Sequence, residues 1–426
     1  MFPLHHAQIT DGVSFYAFRN ARFKTNRITV HLAVPIQKET ASVNALLPKL
    51  LRRCCKTHPD YLSLAKRLEE LYGAYIEAGT QKRGDVQIIT ISLTGIDDRF
   101  AFDSAVNLPA ASLLCDLLLN SVISENGELN VRYLNAEKKS LCDAIDATLN
   151  DKRGYAVSRA ARALYQDDPA GIPAFGEKED VQSALPQDIY MQYQTLLKTA
   201  QIYVMFTGCG DYEPLIPLLR DRFSVLNRTP YKADVHPFTK VGDVREVTEE
   251  LDMLQAKLVL GYTGGGISST DPRLPAMRVA VSILGGSPMS KLFMHVREEK
   301  SLCYYCAARY DVAKGTMMID CGVEHDDIER AKEAIFEQVE AMQKGDFTDQ
   351  EILYAILSLK NAYQSVYETD ITVESFFLGQ LLSGLNSDPE TQKALLDSVT
   401  REQIIEAANH LKLQLVYLLK GKETEE

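Results

Sequence analysis

The sequence predicts an α+β protein built from two similar halves, each with a mixed β-sheet covered by helices on one face. An apolar strand, RITVHLAV at residues 27–34, has a counterpart 229 residues later in AKLVLGYT at residues 256–263. Strands of alternating polarity follow in both halves, DVQIITISLTG in the first and GTMMIDCGVE in the second. A period of two is typical of half-buried sheet, so the repeat predicts a duplicated fold.

Helical patterns separate these strands. VNALLPKLLRRCC follows the first strand, and LPAMRVAVSIL follows its counterpart. A second amphipathic helix is predicted next, over LSLAKRLEELYGAYIEA and SKLFMHVREEKSLCYYCAA, and the same offset aligns Tyr75 with Tyr304.

The order of elements predicts a clam-shell of two homologous domains. Each half ends in a helix and an apolar strand. Prolines, a glycine and charges interrupt the periodicity between the halves, which is typical of a linker. We therefore expect an N-terminal domain at 1–225, a linker at 226–247 and a C-terminal domain at 248–426.

Composition excludes several function classes. The net charge of −12 argues against nucleic acid or an anionic membrane as the main partner, because both require a basic face. The stretch LPAASLLCDLLLNSVI is too short and too polar to span a bilayer, and the first residues lack the pattern of a signal peptide. Cys303 and Cys306 form a C-x-x-C within a predicted strand, so ordinary buried or half-buried cysteines are expected. These features predict a cytoplasmic protein.

One stretch of the second half resembles a known signature. GGSPMSKLFMHVREEKSLCYY places Arg297 in a mostly apolar helical pattern, with Tyr304 seven residues later. It resembles the second-domain signature of the pitrilysin, or insulinase-type, metallopeptidases, which include the mitochondrial processing peptidases. The resemblance extends over nearly the whole chain. The matching positions are Gly285, Gly286, Ser290, Leu292, Phe293, Arg297, Glu298, Leu302 and Tyr304.

The resemblance implies that Arg297 and Tyr304 bind the substrate backbone and help to stabilise the reacting carbonyl. A guanidinium and a phenol can both donate hydrogen bonds to a developing oxyanion. The alternative from the residues alone is a structural ion pair for Arg297 near Glu298, with Tyr304 in a strand core.

The same family carries H-x-x-E-H on a helix of its first domain, where two histidines hold zinc and the glutamate activates water. The resemblance places these positions on Asn44, Leu47 and Pro48, and a downstream ligand near Asn135. None is a workable replacement, since zinc prefers thiolate, imidazole and carboxylate. Pro48 should kink the helix or mark its N-terminal turn. An apolar stripe at helical spacing indicates that the helix serves packing; it comprises Val43, Leu46, Leu47, Leu50, Leu51 and Cys54.

No displaced zinc motif is visible, because no two histidines are spaced four apart. The sequence therefore predicts a non-catalytic, substrate-binding subunit with no cofactor of its own. Its expected partners are a peptide substrate and a homologous zinc-bearing subunit, and the isolated chain is compatible with a homodimer.

The similarity in pattern is to bacterial homologues encoded beside a zinc-bearing partner, some of them named as associated with elongation factor P modification. Two alternatives stay open at this point. One is a structural scaffold, like the core subunits of respiratory complexes, and the other is a peptidase with a non-standard site.

Overall fold

The computed structural model describes residues 4–102, 105–122 and 131–422, with side chains described from residue 133 onward in the last range. This part of the chain forms two compact units. Unit 1 comprises Met1–Asp146, Ile172–Asp234 and Thr369–Leu378. Unit 2 comprises Ala147–Gly171, Val235–Glu368 and Gly379–Glu426.

Unit 1 contains a six-stranded mixed sheet in the spatial order β1-β2-β6-β3-β5-β4. Strands β2 and β6 are parallel, and the other neighbours are antiparallel. The strands are β1 (His5–Thr10), β2 (Val13–Arg19), β3 (Thr25–Pro35), β4 (Tyr75–Arg83), β5 (Val86–Ile96) and β6 (Gln201–Gly208).

Unit 2 contains a five-stranded mixed sheet in the spatial order β7-β11-β8-β10-β9. Only the pair β7 and β11 is parallel among the neighbours in this described sheet. The strands are β7 (Arg245–Leu251), β8 (Ala256–Thr263), β9 (Cys303–Asp311), β10 (Thr316–Val323) and β11 (Lys412–Gly421).

Helices supply the second layer in both units. Within the described ranges, none is long and apolar enough to cross a membrane. The α-helices are α1 (Lys38–Leu51), α2 (Tyr61–Glu70), α3 (Asn107–Leu119), α4 (Val131–Ala147), α5 (Lys152–Tyr165), α6 (Lys178–Ser183), α7 (Pro186–Thr199), α8 (Leu215–Ser224), α9 (Leu274–Gly285), α10 (Ile328–Lys344), α11 (Asp349–Ser365), α12 (Asp370–Leu382), α13 (Pro389–Asp397) and α14 (Arg401–Asn409). A π-helix spans Leu292–Glu299.

The two faces of strand β3 have different roles in unit 1. Ile28, Val30 and Leu32 join the hydrophobic core with Leu46 of α1 and Ile91 of β5. Successive side chains of a strand point to opposite faces. The residues between them, Thr29 and His31, are polar but equally buried. The opposite face of β3 is therefore also buried and carries polar side chains.

The core of unit 2 forms where α5 packs on its sheet. Ala160 and Leu164 of α5 contact the apolar face that includes Val259 of β8 and Leu415 and Tyr417 of β11. Small alanines at helical spacing let the helix approach the strands closely. The predicted α+β class, with mixed sheets covered by helices, is confirmed in both units.

The predicted second amphipathic helix is wrong in part in both halves. In the second half it is predicted through Ala308, but the π-helix ends at Glu299 and strand β9 begins at Cys303. The second amphipathic helix of the first half was expected to continue through Tyr75, but α2 ends at Glu70. Tyr72 and Gly73 both have positive φ, 59° and 74°, and such left-handed residues end a helix. The chain then enters β4 at Tyr75.

The predicted domain boundaries at 225 and 248 stay a prediction. The compact units divide the chain between Asp234 and Val235, inside the predicted linker. Unlike the predicted domains, the units are discontinuous in sequence. Residues 147–171 belong to unit 2, and residues 369–378 belong to unit 1.

A buried charge cluster lies on the polar face of β3. Arg27 is buried and donates from Nε to Oε2 of Glu374 at 3.2 Å, and it also pairs with Glu77. Thr29 Oγ1 lies 2.9 Å from each carboxylate oxygen of Glu374. Burial raises the pKa of Glu374 to about 7, although Arg27 and Thr29 oppose the rise. Ionisation of the Glu374 carboxyl near neutral pH therefore lowers the stability of the folded protein.

We predict that Glu374→Gln reduces the pH dependence of stability. The folded-state pKa lies above the unfolded one, so stability from this group is present below pH 4.5 and is lost as pH rises through 7. Between pH 5 and pH 8 the loss amounts to about 2 kcal/mol. Glutamine cannot ionise but keeps an oxygen for Thr29. Urea unfolding of both proteins at pH 5 and pH 8 measures this effect. The free energy of unfolding of the variant, relative to that of the wild type, should be higher at pH 8 than at pH 5. The same difference between the two proteins at both pH values would contradict this account.

Candidate functional site

The segment that carries Arg297 is a π-helix followed by a sharp turn. Lys300 N donates to His295 O at 3.3 Å, the wide spacing that defines this helix type. Ser301 has a φ of 52°, which turns the chain toward β9. π-Helical segments are rare in proteins, and those that do occur are often found at functional sites. The sequence pattern predicted a helix here, and it did not reveal the wider winding.

Tyr304 occupies a β-bulge at the start of β9. In the pairing with β10, Tyr305 lies opposite Gly322, but Cys303 lies opposite Val323, so Tyr304 has no cross-strand partner. Bulges re-aim side chains and are common next to active sites. The Tyr304 side chain is 56% exposed, so it does not belong to a strand core.

The phenol of Tyr304 has an acidic neighbour. Its Oη donates a hydrogen bond to Glu324 Oε1 at 2.8 Å. This hydrogen bond raises the pKa of Tyr304 above its ordinary value. The phenol therefore stays protonated at neutral pH and remains a hydrogen-bond donor.

Arg297 is also partly exposed. Its guanidinium carbon lies 4.4 Å from the centre of the Phe293 ring, within the range of a cation–π contact. Its Nη1 is 3.6 Å from Oε1 of Glu298, so the acidic neighbour is Glu298 itself. At this exposure such a pair contributes little to stability. Within the described part of the chain, the partly exposed Arg297 guanidinium thus has N–H groups that can donate to a ligand.

The first zinc-motif position is occupied by a buried amide. Asn44 on α1 is fully buried. Its Nδ2 donates to Gln87 Oε1 at 2.8 Å, and its Oδ1 accepts from Gln192 Nε2 at 2.8 Å. Gln87 donates in turn to the backbone oxygens of Ala41 and Ala174, at 3.0 and 2.7 Å. These three amide side chains thus form hydrogen bonds to one another at the position where the family signature requires a metal ligand.

The next positions, Leu47 and Pro48, are buried within α1. Pro48 does not mark an N-terminal turn, because the helix runs from Lys38 to Leu51. A proline cannot donate to the carbonyl four residues earlier. Thr80 Oγ1 of β4 supplies the missing donor, at 3.3 Å from Asn44 O.

The fourth zinc-site position, Asn135, does not belong to the buried set formed by the other three positions. Asn135 is an exposed residue of α4. Two residues later, Glu137 is 1% exposed and accepts a hydrogen bond from Arg53 Nε at 2.6 Å. Its second carboxylate oxygen has no hydrogen-bond partner among the described residues. Sequence patterns did not indicate Gln87, Gln192 or Glu137. For Gln87, the available signal is a glutamine within the apolar strand DVQIITISLTG.

These residues do not fit a zinc ion. Leucine and proline side chains have no ligand atom, and neutral amides are poor zinc ligands. Across residues 4–102, 105–122 and 131–422, no group of three or more His, Cys, Asp or Glu side chains is arranged to hold a metal.

Together, the fold and the site define a class: a peptidase-like α+β protein whose motif positions carry an amide, a leucine and a proline. Residues 184–359 match the family model described as the peptidase M16 inactive domain. Over 412 residues the chain is 30% identical to a Bacillus subtilis (strain 168) protein named probable inactive metalloprotease YmfF, covering 97% of this chain and 96% of that relative. The chain belongs to the M16 peptidase family, which confirms the predicted resemblance.

Solved structures share the fold. A conserved protein from Enterococcus faecalis V583 superposes with a TM-score of 0.91 at 26% identity, covering 99% of this chain and 100% of that one. A peptidase M16 inactive domain from Pseudomonas fluorescens has a TM-score of 0.79 at 15% identity, with 99% of both chains covered. The second likeness concerns the fold alone.

We predict that the purified chain binds no stoichiometric zinc and cleaves no peptides by itself. The physical reason is that the motif positions provide no imidazole, thiolate or carboxylate. Elemental analysis after gel filtration, combined with a peptide-cleavage assay, measures both properties. One tightly held zinc per chain, lost together with peptidase activity on chelation, would contradict the prediction.

We also predict that Asn44→Ala destabilises unit 1 by about 2 kcal/mol, because it leaves buried amide groups of Gln87 and Gln192 without partners. Asn135→Ala removes the same atoms from an exposed helical site and should change the free energy of unfolding by less than about 0.5 kcal/mol. Urea unfolding of both variants measures the difference. Equal effects would show that the amide network does not stabilise the fold.

Proposed function

We propose that this chain is the non-catalytic, substrate-binding subunit of a two-subunit zinc-dependent peptidase, whose zinc is carried by a homologous partner. The supporting observation is a division of roles within the chain. The zinc-motif helix α1 belongs to a buried packing and amide network, whereas Tyr304 is exposed and Arg297 is partly exposed, and both can donate hydrogen bonds. Similarity to M16 members described as inactive supports the same division.

Arg297 and Tyr304 suit recognition of a peptide backbone. The guanidinium is a rigid fork of N–H donors that matches carbonyl oxygens. The Tyr304 phenol adds one donor from the adjoining strand. Both groups can stabilise negative charge on a carbonyl oxygen, which is a large contribution to acyl-transfer catalysis.

Substrate binding requires an exchange at Tyr304. The phenol has one proton, which it donates to Glu324 in the unliganded chain. A substrate carbonyl would replace Glu324 as the acceptor. Glu324 therefore acts as a positioning residue that holds the phenol at the bulge before substrate arrives.

The scaffold alternative also has a supporting observation. Arg297 and Tyr304 each have an acceptor within the chain, Glu298 and Glu324, so both side chains are accommodated without a ligand. The alternatives differ in what removal of the donors does to turnover. For either role we propose the cytoplasm as the compartment, because all eight cysteines are free thiols.

We predict that Tyr304→Phe and Arg297→Ala each reduce turnover by about 10²–10³-fold, the usual effect of removing an oxyanion donor. The assay uses the full chain reconstituted with a homologous subunit that carries H-x-x-E-H. Assembly should be unchanged, because Tyr304 is exposed and the Arg297 side chain is partly exposed. Gel filtration measures assembly, and peptide cleavage measures turnover.

A matched control is Tyr75→Phe, which removes a phenol that is 51% exposed at the aligned position of unit 1. It should leave turnover within about twofold, because we assign it no donor role. If the Tyr304 and Arg297 variants assemble and cleave at the wild-type rate, the composite-site proposal fails and the scaffold alternative replaces it.

A further inference from the structure

Three of the eight cysteines meet in the sheet of unit 2. Cys303 and Cys306 lie on β9, and Cys321 lies on β10 directly opposite Cys306. Cys303 lies opposite Val323, two residues from Cys321, so the strand register places all three cysteines on one face of the sheet. The cluster therefore joins three sulfurs from two neighbouring strands.

The bulge at Tyr304 explains why these sulfurs meet. In a regular strand, residues three apart point to opposite faces of the sheet. The bulge inserts one extra residue between Cys303 and Tyr305, as the register with Gly322 and Val323 shows. The alternation is thereby shifted, and Cys303 is brought to the face of Cys306 and Cys321. A C-x-x-C pattern in a strand does not predict this arrangement without the bulge.

The three thiols have unequal environments. Cys303 is partly exposed, whereas Cys306 and Cys321 are 4% and 1% exposed. Hydrogen bonds from Cys306 and Cys321, together with the positive charge of Arg297, lower the pKa of Cys303 far below that of a free thiol. The hydrogen bond to Cys303 and burial raise the pKa of Cys306. One accessible thiolate thus lies beside two protonated thiols.

This asymmetry is typical of reactive cysteines, in which an accessible thiolate is paired with a second, resolving thiol. The buried cysteines elsewhere are different. Burial raises the pKa of Cys54 to about 11 and that of Cys115 to about 12. Their thiolate fractions at neutral pH are negligible, so they serve as apolar packing groups.

We propose that Cys303 is a peroxide-reactive thiol and that its oxidation closes a disulfide with Cys321. The oxidant is hydrogen peroxide or an organic hydroperoxide. The Cys303 thiolate attacks one peroxide oxygen, the O–O bond breaks, and the leaving hydroxide or alkoxide takes a proton from solvent. The product at Cys303 is a sulfenic acid.

The second step needs no further oxidant. The sulfur of Cys321 attacks the sulfenic sulfur of Cys303, the S–O bond breaks, and the hydroxyl leaves as water with the Cys321 proton. Overall, two thiols and one peroxide give one disulfide and two waters, or one water and an alcohol. Two electrons pass from the two sulfurs to the O–O bond.

Geometry favours Cys321 over Cys306 as the resolving thiol. Cys303 and Cys306 are three residues apart on the extended strand β9, which separates their Cα atoms by about 10 Å. Even if the bulge shortens this distance, it exceeds the usual Cα separation across a disulfide. Cys321 lies on the neighbouring strand, diagonal to Cys303 in the register, where a smaller movement is sufficient. The reaction would link β9 to β10 next to Tyr304.

The first experiment measures the alkylation of each cysteine in the full chain by iodoacetamide between pH 5 and pH 9, with peptide mass spectrometry. We expect Cys303 to react at least about tenfold faster than an ordinary exposed thiol at pH 6, because most of it is thiolate. Arg297→Ala should move its pH midpoint upward. Cys142→Ser is the matched control, since it removes a buried thiol outside the cluster and should not move that midpoint.

The second experiment treats the chain with one equivalent of hydrogen peroxide. We expect loss of two free thiols per chain and a peptide that links Cys303 to Cys321. In Cys321→Ser the sulfenic acid should persist and react with dimedone, which keeps the test informative if the disulfide itself is slow to form. Slow alkylation of Cys303 at pH 6, or no oxidation product at Cys303, would overturn the proposal. A link from Cys303 to Cys306 would overturn the assignment of Cys321.

Discussion

The single unpaired residue at the start of β9 determines most of the chemistry in unit 2. Because Tyr304 has no partner on β10, its side chain leaves the regular alternation of the strand and stays in solvent. The same insertion moves Cys303 onto the face of Cys306 and Cys321. Arg297 lies on the π-helix that leads into this bulge, and its charge acts on Cys303. One local irregularity thus gives both the exposed phenol of Tyr304 and the placement of Cys303 beside the other two cysteines.

The zinc-motif position of unit 1 follows the opposite logic, since the amides of Asn44 and Gln87 are buried there and hydrogen-bonded to each other. A buried polar group without a partner is costly, so the amides of Asn44, Gln87 and Gln192 are stable only as a connected set. Thr80 completes the set by donating to the carbonyl that Pro48 leaves without a helical partner. A metal ligand cannot be restored at this place by one substitution, because each member depends on the others. The helix has become a structural element.

The sequence predicted the regular elements well. Strand β8 matches its predicted bounds, and β3 differs at its ends only, because continuous apolar runs identify buried strands. The sequence-based prediction was wrong where a single residue changes the backbone geometry. Tyr72 and Gly73 end α2 early through left-handed φ values, which no periodicity reveals. The π-helix and the bulge arise from backbone hydrogen bonding, so Arg297 and Tyr304 were identified by resemblance and not by pattern. Gln87 and Glu137 are long-range partners, and their roles depend on tertiary contacts.

The proposed substrate role and the proposed oxidation concern the same few residues and are therefore linked physically. Arg297 donates to a substrate carbonyl in one and stabilises the Cys303 thiolate in the other. A disulfide between β9 and β10 would constrain the backbone on both sides of Tyr304, whose exposure depends on the bulge. It would also remove the negative charge that faces Arg297. Oxidation would thus change the position of one donor and the electrostatic surroundings of the other.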